Sequence, residues 1–241
     1  FLAVLIGFSL YSYPFMFEIE RGQWNIIAIA IVMVGIFGMQ RRLYLIAAGC
    51  LAVATSLKIF PLVFAASILS FRPNFKDILR FSIYLTGALI VAFCIRGVSY
   101  FKWFIRWLAS YSDIKSTWIG NHSIKSFTMQ LGNSALTPVF LCIIGIVLLA
   151  ACYLAWKQKS SWFHFHFLSI LAICACVIPN VSHDYKISLL ILFMPLLLAK
   201  RIGLDHFSIK EGIVLFLITI IYLYLLTPYS ATYYTGTIWL H

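Results

Sequence analysis

Charge is what this sequence has least of. Of 241 residues only 10% are Asp, Glu, Lys or Arg and 63% are hydrophobic, whereas an average soluble domain is about 25% charged. A soluble globular fold is excluded. Carboxylates are scarcer still, with seven Asp and Glu against 18 Lys and Arg, a formal net charge of +11. In a soluble protein that imbalance would point to nucleic acid. Here the cations fall mainly in short loops between apolar runs, where the positive-inside bias and attraction to anionic lipid account for them, and no nucleic-acid partner is expected.

Other absences narrow the class further. Cys50, Cys94, Cys142, Cys152, Cys174 and Cys176 all lie inside apolar segments, where cysteine behaves as a small hydrophobe, so neither a disulfide framework nor a thiolate metal site is read. No two histidines share helical metal-ligand spacing with a carboxylate. His164 and His166 alternate with Phe and read as packing at a span end. No metal and no cofactor are expected. The apolar runs are continuous, without the period-two alternation of a membrane β-barrel, and no inverted repeat of the kind transporters carry is visible.

What is present is a series of apolar segments suited to an all-α, polytopic integral membrane helical bundle. They are Phe1 to Tyr13, Trp24 to Met39, Leu43 to Leu57, Pro61 to Phe71, Phe81 to Ile95, Leu136 to Trp156, Trp162 to Ile178, Ile187 to Ala199 and Gly212 to Thr227, about eight or nine segments in a single transmembrane domain over residues 1–241. The first run is too short to span, has no basic region before it and no small-residue cleavage site after it. The expectation is a chain that lacks its N-terminal spans.

Loop charges orient the bundle. If Leu43 to Phe71 is a hairpin broken at Lys58 and Pro61, one side collects Arg41, Arg42, Arg72, Lys76, Arg80, Lys157, Lys159, Lys200, Arg201 and Lys210, which makes that side cytoplasmic. The other face holds residues 14–23, Lys58, a long loop from Arg96 to Ser134, the turn from Pro179 to Lys186 and the C-terminal tail. Within the long outer loop, Lys102 and Arg106 share one helical face among Tyr100, Phe101, Trp103, Phe104 and Trp107. That pattern predicts an interfacial helix.

Four polar groupings can carry chemistry. Glu18, Glu20, Arg21, Gln23 and Asn25 stand at the mouth of one span, where a carboxylate can act as general base; the plain alternative is a solvated loop with Gln23 and Asn25 capping the helix. Lys58 interrupts a long uncharged stretch, and an ionisable group there is either a snorkelling hairpin tip or a cation that holds an anion. Gly120-Asn121-His122-Ser123 precedes a short amphipathic stretch, and can equally be solvated loop. Pro179-Asn180-Val181-Ser182-His183-Asp184-Tyr185-Lys186 packs an imidazole, a carboxylate, a phenol and an ammonium into four consecutive residues at a turn, where Asp184 and Lys186 can also simply pair.

The ordered set of Gly22-Gln23-Trp24-Asn25, the Ala-rich run ending at Lys58 with Pro61, Asn121-His122-Ser123, and Pro179 to Asp184 resembles a polyprenol-phosphate-sugar-dependent glycosyltransferase of the GT-C superfamily. Within it the chain is similar to glycosyltransferase family 87, the polyprenol-phosphate-mannose-dependent mannosyltransferase type. The resemblance runs from about residue 14 to 200. It implies a GT-C-like fold and transfer of a hexose, mannose-like, from a polyprenyl-phosphate-linked donor to a glycan or glycolipid acceptor of the cell envelope. The reaction is placed on the outer face of the plasma membrane. The resemblance makes Glu20, His183 and Asp184 the catalytic candidates, and Lys58, Arg21, Gln23, Asn25, Asn121 and His122 the substrate-binding ones. Two departures stand out: the family's general-base aspartate belongs to an outer loop upstream of residue 1, and its fourth motif carries histidine after the aspartate, where this chain has Tyr185. A membrane transporter or a non-catalytic membrane subunit is the competing class.

Overall fold

The computed structural model describes residues 10, 12–20, 22–95, 97–111, 121, 123–157, 161–179 and 189. Every element among them is helical: α1 (Tyr13–Glu20), α2 (Asn25–Gln40), α3 (Tyr44–Leu57), a 3-10 helix (Phe60–Phe71), α4 (Phe75–Cys94), α5 (Val98–Tyr111), α6 (Ile124–Gln130), α7 (Leu136–Lys157) and α8 (Ser161–Val177). The expected segments Ile187 to Ala199 and Gly212 to Thr227, and the start of the run Phe1 to Tyr13, lie outside the described residues, Leu189 apart. The chain divides into two compact units, one of residues 1–25 and 184–241 and the other of residues 26–183.

In the first unit the stretch read as a loop is helix α1. Pro14 sits in its first turn, where the missing N–H costs nothing, and Gly22 follows its end at φ +59°. Gly22 N–H donates to Ile19 C=O and Gln23 N–H to Glu18 C=O, both at 3.0 Å, the paired closure that satisfies carbonyls left over at a helix end. The sequence carried both signals, and the two carboxylates obscured them.

In the second unit, α2 and α3 approach closely. A Cβ on Gly35 would lie 3.3 Å from Ala47 O and from Cys50 Cβ, and one on Gly38 3.4 Å from Ala47 Cβ. Small residues let two backbones pack at short range, the usual helix contact in lipid. Ala28, Ile29, Val32, Ile36 and Met39 of α2, and Ala47, Ala48, Leu51 and Ala52 of α3, are all buried.

After Leu57 the chain breaks as the lysine and proline predict. Lys58 is extended (φ −151°, ψ 139°), with its N–H still donating to Ala54 O, and Pro61 opens the next helix. That helix is 3-10 rather than α over its twelve residues, far beyond the usual three or four. Its buried residues are Phe60, Pro61, Phe64, Ser67, Ile68 and Ser70, among which Pro61, Phe64, Ser67 and Ser70 recur every three residues, as a turn of three residues places them. Ser67 Oγ lies 3.2 Å from Met39 Sδ. Since Met39 sits at the end of α2 beside the start of α3, the 3-10 helix must run back along α3, and the stretch from Leu43 to Phe71 is a hairpin.

Helix α4 begins six residues before the expected Phe81. Asn74 Oδ1 accepts from Asp77 N at 2.8 Å and Asp77 Oδ2 from Asn74 N at 3.3 Å, a reciprocal cap. Only Asp77, Phe81 and Leu85 of α4 are buried, an i, i+4 stripe laid on α3, which it packs against along its length. Because Tyr44 at the start of α3 lies within interaction range of Asp77 at the start of α4, the two helices run parallel.

Two helices, α4 and α7, are long and apolar enough to cross a membrane. Only 17% and 11% of their crossing stretches are buried, the reverse of a soluble core helix. Val91 and Leu149 are 66% and 71% exposed, which in water would be a large apolar patch and in lipid is the expected face. Four shorter apolar helices, α2, α3, the 3-10 helix and part of α8, supply the interior; the larger count of spanning segments expected from the sequence is not reached by the described residues. Gly97, at φ +94°, turns the chain into α5, the expected interfacial helix, whose Phe101 and Phe104 meet Phe93 of α4 at 6.1 and 5.2 Å while Lys102, Trp103 and Arg106 are exposed.

Gly35→Leu should lower the thermal midpoint of the detergent-solubilised protein by an amount equivalent to about 1–3 kcal/mol, because the α2–α3 contact has no space for a side chain. Asn74→Ala should cost about 1 kcal/mol by loss of the cap, read in the same thermal scan.

Candidate active site

In the first unit, α1 and its glycine turn present Glu18, Gln23 and Asn25. Glu18 is fully buried, not the solvated loop charge it resembles in sequence, and no sequence pattern marks it as buried. Gln23 is half-buried. Asn25, first residue of α2, is fully buried, and neither its Oδ1 nor its Nδ2 has a hydrogen-bond partner. An unsatisfied buried amide costs roughly 1–3 kcal/mol per group. Asn25 thus offers a donor and an acceptor to a ligand that brings hydroxyls.

In the second unit, Lys58 occupies the break between α3 and the 3-10 helix and is half-buried. Thr55 lies one turn earlier on α3, is 2% exposed, and its hydroxyl has no partner. A threonine inside a helix ordinarily returns its hydroxyl to a carbonyl of the preceding turn. Nothing in the sequence singled Thr55 out, because its apolar neighbours make it look like filler.

Asn121 is 4% exposed. Its Oδ1 accepts from Ser123 N at 3.2 Å, and Ser123 Oγ in turn accepts from Ser126 N at 3.1 Å, so the amide oxygen builds the entry to α6. The short helix is held by more of the same chemistry: Gln130 Nε2 donates to Ser126 Oγ at 3.0 Å, and the hydroxyls of Thr128 and Thr137 pair across to α7. Part of the polar character read there as functional is structural.

Of the remaining sequence candidates, Arg21, His122, His183 and Asp184, and the side chain of Glu20, lie outside the described residues. Among the described residues no three His, Cys, Asp or Glu side chains gather as metal ligands would.

In the first unit a buried carboxylate and a buried amide without partners suit a ligand that brings hydroxyls; in the second a buried hydroxyl without a partner and a lysine at a helix break suit a ligand that carries a hydroxyl and an anionic group. Neither a curated protein nor a solved structure gives a significant match. One family model does, over residues 1–179, and it covers the α1 turn, the Lys58 break, Asn121 and the helices up to Pro179. The chain belongs to glycosyltransferase family 87, a family of membrane glycosyltransferases.

Proposed function

We propose that this membrane glycosyltransferase moves a mannose-like hexose from a polyprenyl-phosphate donor to a glycan or glycolipid acceptor, on the outer face of the plasma membrane, within a multi-pass bundle. The observation that carries the reading is Asn25: a fully buried amide with all its hydrogen-bonding capacity unused is matched by a sugar, whose hydroxyls donate and accept in pairs.

In the reaction an acceptor hydroxyl attacks the anomeric carbon of the donor, the bond from that carbon to the phosphate oxygen breaks, and polyprenyl phosphate leaves. The acceptor proton passes to a carboxylate, here assigned to Glu20 of α1, with the buried Glu18 as its neighbour two residues away. Charge grows on the departing phosphate. Fixed donors must meet it, and each is worth roughly 2.7–4 kcal/mol when removed. Lys58 is assigned that role first and Arg21 and His183 second, with Asp184 assigned to orient His183. Gln23, Asn25, Asn121 and His122 hold sugar or acceptor hydroxyls. The amphipathic α5, with Trp103 exposed and its ring 5.6 Å from Tyr100, guides the isoprenoid tail along the interface.

Lys58→Ala in the full-length protein should reduce transfer from the lipid-linked donor by about 10²–10³-fold with the purified protein still monodisperse; wild-type turnover would remove Lys58 from the site. Asn25→Leu should raise or leave unchanged the thermal midpoint, since it deletes an unsatisfied buried group, yet cut transfer at least ~10-fold. Retained activity would make Asn25 a packing residue. In a cysteine-free background, a membrane-impermeant maleimide added to intact cells should label Ser56→Cys and spare Arg72→Cys; the opposite pattern would put the site on the inner face.

A further inference from the structure

The end of the second unit opposite Lys58 has its own construction. Arg41 and Arg42 follow α2, Arg72 ends the 3-10 helix, and Lys76 and Arg80 stand one turn apart on the first turns of α4; all five are exposed. Asp77 is the one carboxylate between residues 41 and 80. It is 5% exposed, held by the Asn74 cap and facing the Tyr44 hydroxyl, with Arg42 and Arg80 close enough to act on that hydroxyl electrostatically. Cations therefore far outnumber anions at this surface.

Backbone conformation supplies a second, independent observation. Among the described residues, the non-glycine positions with positive φ are Arg42 (+59°) and Arg72 (+54°). Both close helices. Arg42 N–H donates to Met39 C=O and Leu43 N–H to Gly38 C=O, the closure that Gly22 makes after α1 and that glycine or asparagine normally fills. Placing arginine twice where its own Cβ is disfavoured fixes two guanidinium groups at one edge against a local backbone cost.

We propose that this edge is a seat for the head group of an anionic phospholipid. Guanidinium groups bind phosphate oxygens in pairs, and the surface beside them fits acyl chains. Phe75, Leu79 and Leu45 are 74%, 50% and 66% exposed, interleaved with Lys76, Arg80 and Arg42 in sequence. Free phosphate or an acidic peptide would use the cations and leave that apolar skirt unexplained. Asp77 acts as a positioning residue, tying α3 to α4 so that Arg42 and Arg80 stay together. The site is separate from the proposed sugar-transfer site and does not depend on it.

The test is native mass spectrometry of the full-length protein released from mixed micelles containing phosphatidylglycerol or phosphatidylcholine at equal amounts. Selective retention of phosphatidylglycerol is expected. Since each Lys or Arg near an anionic surface contributes about five-fold, Arg42→Gln/Arg72→Gln/Arg80→Gln should weaken retention by roughly 100-fold. Arg42→Gly/Arg72→Gly relieves both strained positions, so it should raise the thermal midpoint while weakening retention by about 25-fold; this variant keeps the test valid if the triple variant misfolds. Lys102→Gln/Arg106→Gln on α5 should change retention less than about three-fold. Equal retention of the two lipids, unchanged retention in the glycine variant, an equal loss in the α5 variant, or displacement of phosphatidylglycerol by millimolar inorganic phosphate alone would each overturn the proposal.

Discussion

The reversal at Lys58 is the constraint on which the second unit depends. One extended residue, Lys58, followed three positions later by Pro61 prevents α3 from continuing, and the contact of Ser67 with Met39 shows where the returning segment runs. If Leu43 to Phe71 ran on as one tilted helix, Ser67 would stand far from α2, and every later loop would exchange sides. The hairpin keeps Arg42, Arg72 and Asp77 at one end and leaves Lys58 at the other. With α3 about 21 Å long at 1.5 Å per residue, the two polar ends are separated by most of a hydrocarbon layer.

Lipid as solvent decides which helices are covered. α4 and α7 show a thin buried stripe and a broad apolar face, whereas α2, α3, the 3-10 helix and α8 bury alanine, cysteine and serine against one another. The hydrophobic effect gives little reason for two apolar helices to associate inside a membrane, so close approach and polar pairing take over. Gly35 and Gly38 supply the first; Ser67 with Met39, and Thr128 with Thr137, supply the second. Among the described residues, Asn25 and Thr55 are exceptions to that pairing. A buried group without a partner in an otherwise well-paired interior is where a ligand's own polar atoms are most valuable.

Helix positions were legible wherever apolar runs were long: α2, α3, α7 and α8 begin and end within a residue or so of their sequence bounds. The break at Lys58 was legible too, since a lysine and a proline within four residues have few other uses. Local capping was not. The start of α4 depends on Asn74 and Asp77 exchanging hydrogen bonds, and α1 depends on Pro14 and Gly22 outweighing a pair of glutamates; both signals are short and easily masked by charge. The 3-10 winding was also invisible, because the buried Phe60, Pro61, Phe64, Ser67, Ile68 and Ser70 mix apolar and polar types in a pattern that hydropathy alone does not reveal. For the candidate site, residue type pointed to Asn25 and Lys58, but only burial distinguishes Glu18 from an ordinary loop acid, and only an empty hydrogen-bond account distinguishes Thr55 from core.

The unusual winding of Phe60–Phe71 sets a length. Twelve residues rise about 24 Å as a 3-10 helix but only about 18 Å as an α-helix, and the α3 they run beside is about 21 Å. The tighter coil is therefore the longer strut, able to carry Arg72 the whole way back to Arg42 and Tyr44. Rewinding to an α-helix would retract that arginine by roughly 6 Å, so the spacing between the Lys58 elbow and the cationic edge is governed by helical pitch.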